Sequence, residues 1–166
     1  MYIVVGLGNP DKEYERTRHN AGRMAADLVA KNPPAGEDGV KVVVPDTYMN
    51  KTGSVVAKIV KTKKAAEKLI VIYDDLDLPI GEMKISYNRG SGGHKGLESI
   101  IRAIKTKEFI RIRIGIGKKA DTEKHILSKF SKGEMEKLKK VFKDVVAAVE
   151  TIVDSGLERA MNEFNQ

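Results

Sequence analysis

The sequence predicts a single-domain α/β protein in which helices flank a mixed, mostly parallel central sheet. Two observations carry that prediction. Short apolar runs of strand length alternate along the chain with segments whose apolar residues recur at helical spacing. The chain has 166 residues, 41% of them hydrophobic, enough for one sizeable core. No internal repeat, low-complexity tract or linker divides it, so residues 1–166 read as one domain.

Residues 2–7 are an apolar run ending in Gly6-Leu7-Gly8-Asn9-Pro10, a buried strand entering a tight turn. Residues 21–30 have helical apolar spacing, with Asn20 as a cap before them. Pro33-Pro34-Ala35-Gly36 then breaks the chain. Residues 40–44 are strand-like, and 54–62 are helical through Val55, Val56, Ile59 and Val60. Residues 68–73 (KLIVIY) read as a central strand and 83–87 as another. An amphipathic helix is expected over 96–104. Residues 109–116 alternate apolar and basic side chains, as a half-exposed strand does. A long charged helix follows over 132–154, and a short last one over 157–164.

Charge is unevenly placed. The formal net charge is +7, yet residues 84–143 alone hold 17 Lys/Arg against 6 Asp/Glu. Such a block fits a polyanionic partner, nucleic acid first, or else a lysine-rich solvated surface. The sequence contains no cysteine, which excludes disulfides, thiolate metal sites and a cysteine nucleophile. The chain opens without a basic run and long apolar core, and no apolar run is long enough to span a bilayer, so a cytoplasmic protein is expected.

Stock motifs do not explain the chain. Gly6-Leu7-Gly8-Asn9-Pro10-Asp11 has Asp where a dinucleotide fingerprint needs its third glycine. Gly115-Ile116-Gly117-Lys118-Lys119-Ala120 fits that pattern but is followed by Asp121-Thr122-Glu123-Lys124 instead of an apolar helix start. Gly90-Ser91-Gly92-Gly93-His94-Lys95 lacks the ending of a phosphate-binding loop, and no G-x-S-x-G elbow exists.

What remains is a set of polar residues at strand ends. Asp74, Asp75 and Asp77 close the strand over 68–73, where ligands gather in open α/β sheets. They could ligate Mg²⁺, orient a histidine or cap a turn. Of the three histidines, His19, His94 and His125, none has zinc-site spacing. His19 lies on the loop after the first strand, as a turn residue or as a general base oriented by Asp74. Asn9 and Asn50 stand at turns, either bonding their own backbone or offering amide donors to an oxyanion.

Taken in order, these segments resemble bacterial peptidyl-tRNA hydrolases over nearly the whole chain. The matching pieces are Val5-Gly6-Leu7-Gly8-Asn9-Pro10, Tyr14 with Thr17-Arg18-His19-Asn20-Ala21-Gly22, and Pro45 with Thr47-Tyr48-Met49-Asn50 and Gly53. They continue with Asp74-Asp75-Leu76-Asp77-Leu78-Pro79, Gly92-Gly93-His94, and Arg111-Ile112-Arg113-Ile114-Gly115-Ile116-Gly117. The tail, Leu127-Ser128-Lys129-Phe130 and Gly156-Leu157-Glu158-Arg159-Ala160, fits as well. The resemblance implies a monomer that hydrolyses the ester joining peptide to the 3′ ribose of tRNA without metal or cofactor. It implies His19 as the base that activates water and Asp74 as its orienter. Asn9 and Asn50 would grip the substrate near the scissile carbonyl, Tyr14 and Met49 would line that cleft, and Arg113 would face the tRNA. A family member that has lost hydrolysis and serves as an RNA-binding module is the alternative.

Three departures stand out. Lys95 occupies a position where the family usually has a substrate-binding Asn; it can offer a charged donor or contact a phosphate. The segment 31–40 is short, which predicts a trimmed sheet edge away from the base. Asp11 replaces a usual glycine.

Overall fold

Valine and isoleucine dominate the segments that pair into the central sheet, because β-branched side chains pack well on a pleated surface. The computed structural model describes residues 1–35 and 39–165. Its strands are β1 (Tyr2–Gly6), β2 (Val40–Val43), β3 (Leu69–Asp75), β4 (Met83–Tyr87) and β5 (Ile110–Gly115), in the order β2-β1-β3-β5-β4. The first three and β5 are parallel, and β4 runs antiparallel on β5. The mixed, mostly parallel sheet expected from the sequence is present.

Helices cover both faces. They are α1 (Ala21–Lys31), α2 (Thr52–Ile59), α3 (Lys63–Ala66), α4 (Lys95–Ile104), α5 (Thr122–Ile126), α6 (Lys132–Ser155) and α7 (Leu157–Phe164). Ala25 and Val29 of α1 join Val145 and Val149 of α6 against Val4, Ile70 and Ile112. On the other face, Val56 of α2 and Leu97 and Ile100 of α4 pack with Val5, Leu69 and Val71. β3 is therefore buried on both sides, which is why its sequence is a continuous apolar run. Helix α1 can start against β3 only because residue 22 is glycine: a Cβ there would meet the Ile72 carbonyl oxygen at 2.1 Å.

Several expectations are corrected. The helix expected over 54–62 starts at Thr52 and stops at Ile59; Thr62 instead caps α3, its side chain accepting from the Ala65 N–H. Asn20 marks the start of α1, but its amide bonds Asn9 rather than the helix. Helix α5 was not foreseen; Asp121 caps it, and an acidic cap is a poor seat for a phosphate. Strand β5 is not half-exposed. All six of its residues are buried, because the face carrying its arginines is covered. Arg111 stacks on Phe109 and donates to the carbonyls of Phe109 and Arg89. At the edge of the sheet opposite β4, β2 has irregular Pro33, Pro34 and Ala35 ahead of it. Gly36, the last residue of the expected chain break, lies outside the described residues, as does part of the short 31–40 segment.

Candidate active site

In this strand order the connection from β1 to β2 and the connection to β3 leave on opposite faces, so a crevice opens at the carboxyl ends of β1 and β3. His19 and Asp74 meet there. Asp74 ends the buried run of β3, and His19 sits on a 3₁₀ turn, Arg18–Asn20, just before α1. That turn is anchored from behind. The Arg18 N–H donates to the Ser128 carbonyl at 3.0 Å, and the Arg18 guanidinium makes two bonds, 3.0 and 3.1 Å, to Glu134.

The Asp74 carboxylate is shared by two imidazoles. His19 Nδ1 lies 2.8 Å from Oδ2, and His94 Nε2 lies 2.9 Å from Oδ1. His94 caps α4, and its Nδ1 accepts from the Leu97 N–H at 3.3 Å, so its Nε2 carries the hydrogen it offers Asp74. Burial alone would push Asp74 up, but the two imidazoles, by charge and hydrogen bonding, hold it well below the usual carboxylate range. An ionised Asp74 only accepts, so His19 donates from Nδ1 and keeps a free lone pair on Nε2 when neutral. Burial pushes His19 down, yet the charge of Asp74 and its hydrogen bond outweigh this and leave it above its ordinary value. Nitrogen and carboxylate atoms of His19, Asp74 and His94 lie within 4.8 Å of one another, close enough to suit a cation. The hydrogens directed at Asp74 make the cluster a set of N–H donors on a carboxylate, and a metal would have to displace them.

A cavity of about 320 Å³ opens beside the array, lined by His19, Asp74, His94, Lys95, Arg89 and Lys118 among others. Asn9, in the turn after β1, lies against Asn20. Its N–H donates to Asn20 Oδ1 and its carbonyl accepts from Asn20 Nδ2, at 2.8 and 2.9 Å. Its Oδ1 accepts from the Met49 N–H at 2.9 Å. Three of its polar atoms are thus committed, and its Nδ2 has no hydrogen-bond partner among the described residues. The sequence model of the peptidyl-tRNA hydrolase family matches residues 3–166.

The chain belongs to the peptidyl-tRNA hydrolase family.

Relatives bear this out along the full length. A peptidyl-tRNA hydrolase of Aquifex aeolicus is 43% identical, with 99% of this chain and 96% of that protein aligned. One from Thermodesulfovibrio yellowstonii is 38% identical, with all of both chains aligned. The crystal structure of a peptidyl-tRNA hydrolase from Acinetobacter baumannii superposes with a TM-score of 0.89 at 29% identity, covering 99% of this chain and 94% of that one.

Within this hydrolase fold the other expected site residues divide. Met49 is buried beside Gly96, where a Cβ would meet its sulfur at 2.5 Å, so it links Asn9 to the start of α4. Asn50 is exposed on the same 3₁₀ turn, Met49–Lys51, and Tyr14 meets Tyr48 edge-on at its rim. None of Asn9, Tyr14, Met49 or Asn50 lines the cavity itself. Lys95 does, as the first residue of α4, and it bears on His19 by charge. Arg113 departs from expectation. It is 6% exposed, with Nε bonded to Asp75 at 2.7 Å and Nη1 to Ser86 at 3.2 Å, so its charge is neutralised inside the protein rather than facing a polyanion.

His94 is the site residue that sequence reasoning passed over. The signal was available: a histidine after Gly92-Gly93 at a helix start, and a carboxylate with a second oxygen to satisfy. His125 is structural, its Nε2 lying 3.0 and 3.1 Å from the carbonyls of Ile116 and Gly117. No helix among the described residues is long and apolar enough to cross a membrane.

Proposed function

We propose that this site hydrolyses the ester between peptide and the 3′ ribose of peptidyl-tRNA, with His19 as general base and Asp74 as its orienter. The observation that carries the reading is the His19–Asp74–His94 array, which leaves His19 Nε2 without a hydrogen-bond partner among the described residues, beside a cavity. Nε2 takes a proton from water as the water oxygen attacks the ester carbonyl. Asp74 stays ionised and stabilises the imidazolium, much as the carboxylate does in serine-protease triads. When the tetrahedral intermediate collapses, the proton on Nε2 passes to the departing ribose oxygen. The products are a free peptide carboxylic acid and tRNA with an intact 3′ end.

Asn9 Nδ2 and the Asn50 amide supply donors for the developing oxyanion and the peptide backbone, beside walls formed by Tyr14 and Met49. A backbone grip suits an enzyme that must accept many peptides. Lys95 offers a charged donor in place of an amide. The tRNA is met by the exposed lysines that follow the cavity, including Lys118, Lys119 and Lys124, with Arg113 left to brace Asp75. One chain contributes every residue invoked, which fits a monomer, and a substrate made by ribosomes places the reaction in the cytoplasm.

The test is incubation of purified protein with peptidyl-tRNA, with and without excess EDTA. We expect free peptide and intact tRNA in both. Turnover that vanishes on chelation would contradict the metal-independent mechanism. Salt-sensitive tRNA binding with no ester cleavage would favour an RNA-binding module.

A further inference from the structure

Asp11 takes no part in the array around His19, yet its backbone is held in a conformation that side chains avoid. Its φ of 80° with ψ of 144° lies in a region that is essentially glycine's. Its carbonyl accepts from the Tyr14 N–H at 3.1 Å, and its side chain is held by Tyr48, whose phenol O–H donates to Asp11 Oδ2 at 2.6 Å. Asp11 and Tyr48 are both exposed, Tyr48 by 49%, so the bond between them does not serve a core. The Tyr48 ring also meets that of Tyr14, with centroids 6.5 Å apart and planes at 89°.

The position of this clasp gives it meaning. Asp11 follows Asn9 by two residues, and Tyr48 precedes Asn50 by two. Asn9 and Met49 are already bonded through the Asn9 Oδ1. The Asp11–Tyr48 bond therefore ties the same two loops a second time, at their outer rim. Asp11 Oδ1 has no hydrogen-bond partner among the described residues. A carboxylate with a free oxygen beside two phenol rings is the chemistry that receives an ammonium, by charge pairing and by the rings' electron-rich faces.

We propose that Asp11, clasped by Tyr48, is a specificity residue that favours peptides presenting an ammonium group at the end of the cleft remote from the ester. The proposal rests on the reading of Asn9 and Asn50 as the residues that grip the peptide. The ammonium is the free amino terminus of a short peptide or a lysine side chain. The substrate's two charges are then met separately, its phosphates by the lysines after the cavity and its amino group by Asp11.

Three substrates on one tRNA test this: Gly-Gly-Phe with a free amino terminus, the same peptide N-acetylated, and N-acetyl-Lys-Gly-Phe. The wild-type protein should prefer the free terminus over the acetylated one by about three- to tenfold in kcat/KM. A comparable gain with the lysyl peptide would show that either source of ammonium is read; no gain would restrict the site to the amino terminus. Asp11→Asn should bring the ratio toward one. Asp11→Gly should do the same while relieving the backbone, which separates loss of charge from loss of fold. Equal rates on the free and acetylated peptides, or a preference that survives Asp11→Gly, would overturn the proposal alone. Cleavage of none of the three would remove the hydrolase reading and this proposal together.

Discussion

The proton on His19 is under opposing influences. Burial lowers its affinity, Asp74 raises it more, and Lys95 takes back part of the gain. As the proposed base His19 must be neutral, so kcat/KM should fall as pH drops through a value above the ordinary histidine pKa of about 6.5. Replacing Lys95 by Asn removes the positive neighbour, so the acid limb should move to higher pH while the plateau is kept or raised. A large plateau loss in that pH–rate profile would make the lysine an essential contact. The pairing of His19 with Asp74 was legible because few residue types can orient a histidine and Asp74 closes a buried strand. Residue roles were not legible where they depended on distant geometry. His94 reaches Asp74 only because α4 begins at Lys95 and the Leu97 N–H fixes its ring. Arg113 follows the expected alternation of β5, but alternation cannot say which face is covered, or that Asp75 lies 2.7 Å away.

At the scale of elements, the link between the His19 turn and α6 matters most. Glu134 closes a capping box with Ser131 at the start of α6 and also receives Arg18, whose guanidinium lies over Phe130. The Arg18 hydrogen bonds come first in bringing the Glu134 carboxyl from its ordinary 4.5 down to about 2. A pKa lowered by folding means stabilisation that is complete above the unfolded value, shrinks as pH falls below it and is gone once pH has passed through about 2. Arg18→Met should cost about 2 kcal/mol at neutral pH, because a charged, partly buried pair is broken. That corresponds to a loss of roughly 4–8 °C in Tm, followed by circular dichroism, and the difference should narrow in acid. The strands and the long helix were legible because their periods run for many residues. Short helices such as α3 and α5 were not, since one turn carries too little pattern and is decided by its cap, Thr62 or Asp121.

Across the whole molecule, the basic surplus of residues 84–143 is not all surface. Arg111 and Arg113 are buried, and what remains for a polyanion is carried by exposed lysines such as Lys118, Lys119, Lys124, Lys129 and Lys132. If about four of them meet phosphates, tRNA affinity should fall with a log–log salt slope of roughly −3. In a salt titration this should appear as a rising KM with kcat little changed; a salt-independent KM would mean these lysines do not meet the substrate. Fold class could be read from the sequence because it is a sum over many residues, whereas the basic surplus left a polyanionic partner and a solvated surface both open. The proposed mechanism turns on one atom, His19 Nε2, and single-turnover hydrolysis of saturating peptidyl-tRNA by His19→Ala isolates its contribution. Loss of the base should slow the chemical step by roughly 10²–10⁴-fold with tRNA binding retained. A variant that cleaves at the wild-type rate would contradict it.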